Sequence, residues 1–403
     1  MVSDVAARVK EALRQAAATL EAHAVAVYLA EREARILRLV GSHEVTRRET
    51  TSLPQELGWG KGLIGGAAEQ AEPRFDVERG ELAAPMLLGD DAVGTLVAVR
   101  NGGPGFTVAE VDRLLESGRM LARSLAPAPF EVLHAELGRA APAAGLAWLD
   151  TVIAAAGRGE REAVLNAFPA VSRRLGKEPL GSRSALVPPR LEVEVPLRAW
   201  RVDDAGRVAL LCAFAGDAEA LARELYFGGD MRERAGALRA LGVVGRATLA
   251  LDAVRDACRV SAVELFEAAV AENPYSARVL PAEEFRHAVL KAAFLGVSLA
   301  RITGLADRAD AELSRMLLSY VTEREVAGRS VPPDIWPVVA VHPTPGLVAK
   351  LCGYLEHPAE AHRAGAAVAL GRIADGSARP FLEDRLARET DGAVRWALER
   401  AIA

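Results

Sequence analysis

Apolar residues along this chain recur with two periods, and the two are segregated. Behind Ser3, a residue able to cap a helix, Val5, Val9, Leu13 and Leu20 follow helical spacing. AVAVYLA (24–30) and ARILRLVG (34–41) flank the polar ERE and read as a β-hairpin. ELAAPMLL (81–88) and AVGTLVAVR (92–100) flank a GDD turn and read as a second. After Asn101-Gly102-Gly103-Pro104, Thr107 and Glu110 have the spacing of a capping box, opening a helix with Val111, Leu114, Leu115, Met120 and Leu121 inward. The order helix, hairpin, connector, hairpin, helix predicts an α+β layer with both terminal helices on one sheet face. Ala126-Pro-Ala-Pro129 then reads as a stiff linker.

Beyond the linker the period is helical nearly throughout. Helices are expected around 130–140, 145–157, 160–168, 217–226, 231–242, 248–272, 283–300, 308–328, 346–356, 360–374, 378–388 and 392–402. The exception is RLEVEVPLRAWRVDDAGRVALLCAF (190–214). It alternates, and Asp203-Asp204-Ala205-Gly206 reads as a turn, predicting a small β insertion that includes one hairpin.

The connector between the first two hairpins, LPQELGWGKGLIGGAAEQAEPRF (53–75), contains Gly60-x-Gly62-x-x-Gly65, which matches the dinucleotide-binding fingerprint. That chemistry needs a parallel strand, a glycine turn and a long crossover helix whose N-terminus holds the pyrophosphate. Only six residues separate Gly66 from Pro73, and a hairpin follows, so there is no room for the crossover. The glycines then either allow tight turns and close helix packing or line a cavity. Together with APMLLGDDAVGTLVAV (84–99) and FTVAEVDRLLESGRMLARSLA (106–126), this stretch resembles the GAF domain family over roughly residues 3–126. The resemblance implies a small-molecule pocket or a dimerisation module, with Trp59, Gly60 and Gly62 at the cavity. The region has no cysteine to attach a bilin and no cyclic-nucleotide signature. No cofactor is expected.

One helical segment carries cations where its pattern calls for apolar residues. In 273–336, Lys291 lies inside VLKAAF, and Leu313, Leu317, Tyr320 and Arg324 follow one another in steps of four, three and four. A cation facing a core must snorkel, pair with an acid or hold an anion. Arg308 and Glu312 are spaced i,i+4, Glu323 and Arg329 are close by, and His287 stands i,i+4 from Lys291. His287, Lys291, Arg308, Glu312, Tyr320, Glu323, Arg324 and Arg329 are therefore the candidate ligand-binding cluster. A structural ion-pair network is the favoured reading and an anionic-ligand site its rival. His287 beside Lys291 could also pair a base with an amine, although the sequence places no acidic orienter with them.

The same segment resembles the EboA family. NPY, the VLKA-F run, G-L-x-x-R-A-D-x-E-L-x-R-M-L and Y-x-x-E-R-x-x-A-G-R-S-V-x-P-x-x-W carry the resemblance, with AFPAVSRRLGKEPL (167–180) and WRVDDAGRVALL (200–211) upstream. It covers roughly 130–340. Phe285 and Arg286 stand where the family pattern leads us to expect Trp and Asn, and Asp310 where it leads us to expect Asn. The resemblance implies a role in metabolite traffic, beside prenyltransferase-like, dehydroquinate-synthase-like and metal-dependent hydrolase-like partners, in exporting precursors of secondary metabolites to the periplasm. Further on, HRAGAAVALGRIADGSARPFLEDRLARETDGAVRWALERAI (362–402) resembles HEAT-like repeats of the phycobilisome-lyase type. Its small residues let antiparallel helices approach closely, and such repeats build extended binding surfaces.

Composition narrows the classes. The 403 residues are 51% hydrophobic and 26% charged, which is globular, while 5% aromatics leaves Ala, Leu and Val to build the cores. A net charge of −5 gives no global electrostatic reason to bind nucleic acid, and Arg173, Arg174, Lys177, Arg183 and Arg190 read as a solvated basic loop. Cys212, Cys258 and Cys352 form no CxxC and are expected as buried free thiols. No signal-peptide pattern or apolar run of membrane length is present, so the expected location is cytoplasmic. There is no Walker loop, GxSxG elbow, HExxH or EF-hand loop, and no metal-ligand spacing among the histidines; His357 and His362 flank Pro358 and share no helix face.

The expected organisation is a GAF-like domain (1–126), a linker and first helix (127–144), an EboA-like helical domain (145–340) and HEAT-like repeats (341–403). The expected function is that of a non-enzymatic adaptor in metabolite traffic of secondary-metabolite pathways, with protein partners and a GAF-like module that senses a small molecule or forms a homodimer. The alternatives are an enzyme of unrecognised type acting on an anionic small molecule, and a purely structural scaffold.

Overall fold

The computed structural model describes residues 2–31, 34–44, 53–100, 105–189, 191 and 193–402. The centre of the ERE turn at 32–33, the turn at 101–104, Arg190 and the side chains of Ser3 and Val5 lie outside the described residues. The chain divides into two compact units, one of 1–147 with 172–209, the other of 148–171 with 210–403.

In the first unit, β1 (Ala24–Glu31), β2 (Ile36–Glu44), β3 (Glu56–Gly58), β4 (Arg74–Asp76), β5 (Glu81–Leu88) and β6 (Asp91–Val99) form one sheet in the order β3-β2-β1-β6-β5-β4. Every pairing is antiparallel, and both predicted hairpins are present, joined at the centre of the sheet by β1 and β6. Period-two alternation sorts the strands into two faces. Val25, Val27, Leu82, Ala84, Met86, Leu96 and Ala98 turn toward α1 (Val2–Thr19) and α3 (Val108–Leu125), so the two terminal helices share one face as expected. Ala26, Tyr28, Ala83, Val97 and Val99 turn toward Ile64, Ala67 and Ala68 of α2 (Gly62–Gln70). Thr107 and Glu110 form the predicted capping box at the start of α3. This is the GAF-like α+β arrangement; the short edge strands β3 and β4 are added to the sequence reading.

The remaining chain is mostly helical. α4 (Pro129–Ala140), α5 (Ala143–Gly157), α6 (Arg161–Ala167) and α7 (Val171–Leu175) precede the β insertion. Arg173 and Arg174, expected in a basic loop, are exposed as expected but lie on α7. The insertion is smaller than expected: β7 (Ala185–Leu186) pairs with β8 (Val195–Pro196), and the chain then enters α8 (Val202–Ala213). The predicted turn at 203–206 is therefore corrected to the first turn of a helix. Asp204 accepts the Arg201 N–H at 3.0 Å, and Asp203 accepts Arg207 one turn on at 2.8 Å, an i,i+4 relation that a hairpin cannot make. Acids in the first turn also suit the helix dipole.

The second unit continues with α9 (Ala218–Gly228), α10 (Met231–Val244), α11 (Leu251–Arg259), α12 (Val263–Val270), α13 (Pro274–Val279), α14 (Ala282–Leu295), α15 (Leu305–Arg308), α16 (Ala311–Val326) and α17 (Trp336–Val339). The single helix expected over 248–272 is thus two. α14 stops before Gly296, which sits at φ 76°, and Asp310 caps α16. α18 (Leu347–Tyr354), α19 (Glu360–Ile373), α20 (Arg379–Arg388) and α21 (Gly392–Ile402) form the C-terminal helices, with α19 packed on α21. No helix among the described residues is long and apolar enough to cross a membrane.

Candidate functional site

The residues that mark the helical domain in sequence are framework. Asn273 is buried; its Nδ2 donates to Leu238 O and Ala268 O at 2.8 Å each, and its Oδ1 accepts the Tyr275 N–H at 3.0 Å. Tyr275 Oη donates to Glu219 Oε1 at 2.7 Å and accepts the Ala250 N–H. Glu219 also accepts the N–H groups of Arg246, Ala247 and Leu249 at 2.6 to 2.8 Å. Burial raises its carboxyl, and these donors outweigh burial, so the group stays below the ordinary carboxylate range. The NPY motif therefore ties α10, α12, α13 and the loop before α11 together. In the other unit, Ser172, Asp203 and Arg207 form a second buried network at 2.7 to 2.8 Å.

In the cation cluster, backbone carbonyls are the main partners. Lys291 Nζ donates to Cys258 O at 2.7 Å and Val260 O at 2.8 Å and lies 5.0 Å from the Phe266 ring. It caps the C-terminus of α11, where carbonyls are left over and the dipole favours a cation. Arg308 does the same for α13, donating to Ala277 O and to Leu280 O at 2.8 Å with its guanidinium over Phe285, and burial lowers its pKa. Arg324 is only half-buried and donates to Ser330 O at 2.9 Å. Arg329 is exposed, and its backbone N–H returns to Arg324 O. Glu312 pairs with Arg315 at 2.6 Å, not with Arg308. Backbone carbonyls, a partner class that spacing does not reveal, satisfy Lys291, Arg308 and Arg324.

Four of the candidates do converge. His287, Lys291, Tyr320 and Glu323 line a cleft of about 490 Å³ between α14 and α16. Leu290 and Phe294 complete the α14 wall; Arg315, Met316 and Ser319 complete the α16 wall. Arg308, Glu312, Arg324 and Arg329 do not line it. The five added residues are legible as the i+3 and i+7 positions from His287 and the matching stripe of α16. Tyr320 Oη is committed to Ala293 O at 3.1 Å. Arg286 and Asp310, the two polar departures from the family pattern, meet each other at 2.8 Å just outside the cleft.

In the sheet domain, Gly60 and Gly62 have φ of 76° and 61° and build the turn into α2, while a Cβ on Gly65 would collide with the Gly58 carbonyl. Trp59 is half-buried at the edge of the α2-side cluster. On this face Tyr28 is fully buried within the cluster, and its hydroxyl donates to Pro54 O at 3.1 Å. In the C-terminal helices, the rings of His357 and His362 lie 4.1 Å apart against Tyr354 and Trp336; His357 precedes α19 rather than sharing its face, and the loop at Pro358 brings the two rings together. Trp336 Nε1 donates to His362 Nδ1 at 3.2 Å, and burial, then His357, lowers the His362 pKa. Cys212, Cys258 and Cys352 are free and half-buried rather than fully enclosed; burial still pushes the first two thiols up to about 12 and about 11. Among the described residues, no group of three or more His, Cys, Asp or Glu is placed to hold a metal ion.

Comparison with known proteins gives three results. The family model of metabolite traffic protein EboA matches residues 130–340, and that of HEAT repeats matches 339–403. No curated protein matches. Solved structures similar to the N-terminal part include the GAF domain from the Acinetobacter phosphoenolpyruvate-protein phosphotransferase (16% identity, 29% of this chain and 79% of that chain, TM-score 0.26). Another is the second GAF domain of DevS from Mycobacterium smegmatis (21% identity, 30% of this chain and 91% of that chain, TM-score 0.27).

Proposed function

The chain belongs to the EboA family of metabolite traffic proteins, and from that premise we propose that it works without catalysis, as an adaptor that holds a protein partner of a secondary-metabolite pathway. The observation that carries the proposal is the division of labour in the helical domain. Its motif residues Asn273, Tyr275 and Arg308, with Glu219 as the partner of Tyr275, are consumed in holding helix ends and loops together. One open concave feature of the domain is a cleft between two helices with an apolar floor. Such a cleft suits recognition of a surface. The HEAT-like helices add further binding surface, and the GAF-like module is assigned to sensing or dimerisation.

The enzyme reading rests on His287 and Lys291 sharing that cleft. Two carbonyls hold Lys291 Nζ as a donor toward α11, which turns it away from use as a nucleophile. The full chain should form a complex with one of the prenyltransferase-like, dehydroquinate-synthase-like or hydrolase-like pathway proteins in native mass spectrometry, with no turnover of pathway intermediates by the chain alone. Turnover lost in His287→Ala would replace the adaptor with an enzyme, and absence of any complex would remove the partner-binding role.

A further inference from the structure

The cleft between α14 and α16 is an open groove rather than an enclosed pocket. His287, Arg315, Ser319 and Glu323 on its rim are exposed, and Phe294 is 70% exposed. A small molecule is normally enclosed over most of its surface, and this groove leaves one side open. We propose that it receives an amphipathic helix of a partner protein, whose apolar face carries an acidic and a basic residue about two turns apart. This rests on the partner-binding reading above and adds the site and the chemistry of the partner.

Two cross-contacts give the direction and register of the groove. Arg286 meets Asp310, and Tyr320 meets the Ala293 carbonyl, so the helices run side by side in the same direction. Positions 287, 290, 291 and 294 form one i, i+3, i+4, i+7 stripe, and 316, 319, 320 and 323 form its counterpart. Val326, seven residues beyond Ser319 on the same side of α16, is 85% exposed and extends the apolar strip. Stripes of this spacing are the ground plan of a helix-in-groove contact.

Charge selects the occupant. Arg315 is neutralised by Glu312 at 2.6 Å. Lys291 donates to carbonyls alone, so its full charge has no carboxylate against it. Among the described residues the Glu323 carboxylate makes no hydrogen bond or ion pair. By register between the two cross-contacts, Lys291 and Glu323 lie about 9 Å apart along the groove, at about 1.5 Å per residue. An apolar metabolite would cover the floor, leaving the Glu323 carboxylate without a partner and the Lys291 ammonium without a carboxylate, at a cost. A helix with an acid and a base at i and i+7 meets both.

The test uses the full chain and a fluorescein-labelled designed helix of about five turns. It bears a leucine stripe, with Lys at i and Glu at i+7; a second peptide replaces that Lys with Glu. Anisotropy should show the Lys/Glu peptide binding wild type at least tenfold more tightly than the Glu/Glu peptide. Phe294→Glu should weaken it at least tenfold. Glu323→Lys should reverse the preference, binding the Glu/Glu peptide better. Both substituted residues are exposed, and circular dichroism checks that the variants stay folded. Equal binding of the two peptides, or binding indifferent to Phe294→Glu, overturns the proposal. So does uptake of a small amphipathic dye with no peptide binding, or self-association lost in Phe294→Glu, which would make the occupant a second copy. A pathway complex that survives Phe294→Glu overturns the groove while leaving the adaptor reading in place.

Discussion

At the scale of single residues, burial and partner type decide what a charge is worth. By helical spacing Arg324 is a cation facing a core, for which loss of a paired acid would cost several kcal/mol. Its actual partner is the Ser330 carbonyl in a half-buried setting. Arg324→Met should therefore cost about 1 kcal/mol or less. Asn273→Ala should cost at least about 2 kcal/mol, because it strands the Leu238 and Ala268 carbonyls in a buried site. Equilibrium denaturation of the two variants should rank them in that order. Arg286 and Asp310 supply a second residue-scale test. Both depart from the family pattern, and they depart together into an ion pair. Arg286→Asn and Asp310→Asn should each lower the melting temperature, and the double variant should lose less than the sum. Additive losses would mean that the two side chains do not stabilise each other.

At the scale of elements, helix ends carry much of the specificity. Lys291 and Arg308 close the C-termini of α11 and α13, and Asp310 opens α16. The start of α3 gives a pH signature. The Arg100 guanidinium beside Glu110, helped by the Thr107 cap, holds that carboxyl down at about 2, against an ordinary value of 4.5. A depressed carboxylate adds stability that is complete above 4.5 and disappears as pH falls toward 2. Melting of a fragment holding the sheet domain should drop across that window, and Glu110→Gln should flatten the part of the drop that belongs to this site. At α8 the local pattern points to the wrong element. The alternation of Leu191, Val193, Val195 and Leu197 runs up to its start and favours a strand there. Asp203, meeting Arg207 at i,i+4 and Ser172 across the chain, belongs instead to a helix.

At the scale of the whole molecule, the compact units do not follow sequence order. The β5–β6 turn is held by the later segment: the Asp90 N–H donates to Arg183 O at 2.9 Å, and the Gly89 N–H donates to Glu194 at 2.7 Å. The sheet nevertheless has both faces covered by helices from within 1–126. We expect a cut in 126–130 to leave two soluble fragments, with 183–198 in the second more open to proteases than in the full chain, since it loses those partners. Limited proteolysis read by mass spectrometry checks this. An unfolded 1–126 fragment would place the boundary elsewhere.

Local periodicity is enough to determine the hairpins, the terminal helices, the α3 capping box and most helices after residue 129, because these depend on neighbours two to four residues away. Family membership is also readable from motifs such as NPY and WRVDD. Two results needed the tertiary structure. Lys291 and Arg308 find backbone carbonyls about thirty residues away in the chain, and backbone acceptors leave no mark in a pattern of side chains. The groove exists where α14 and α16 lie side by side, joined by Arg286–Asp310 and Tyr320–Ala293. Each stripe is visible on its own helix, but only the fold sets one opposite the other.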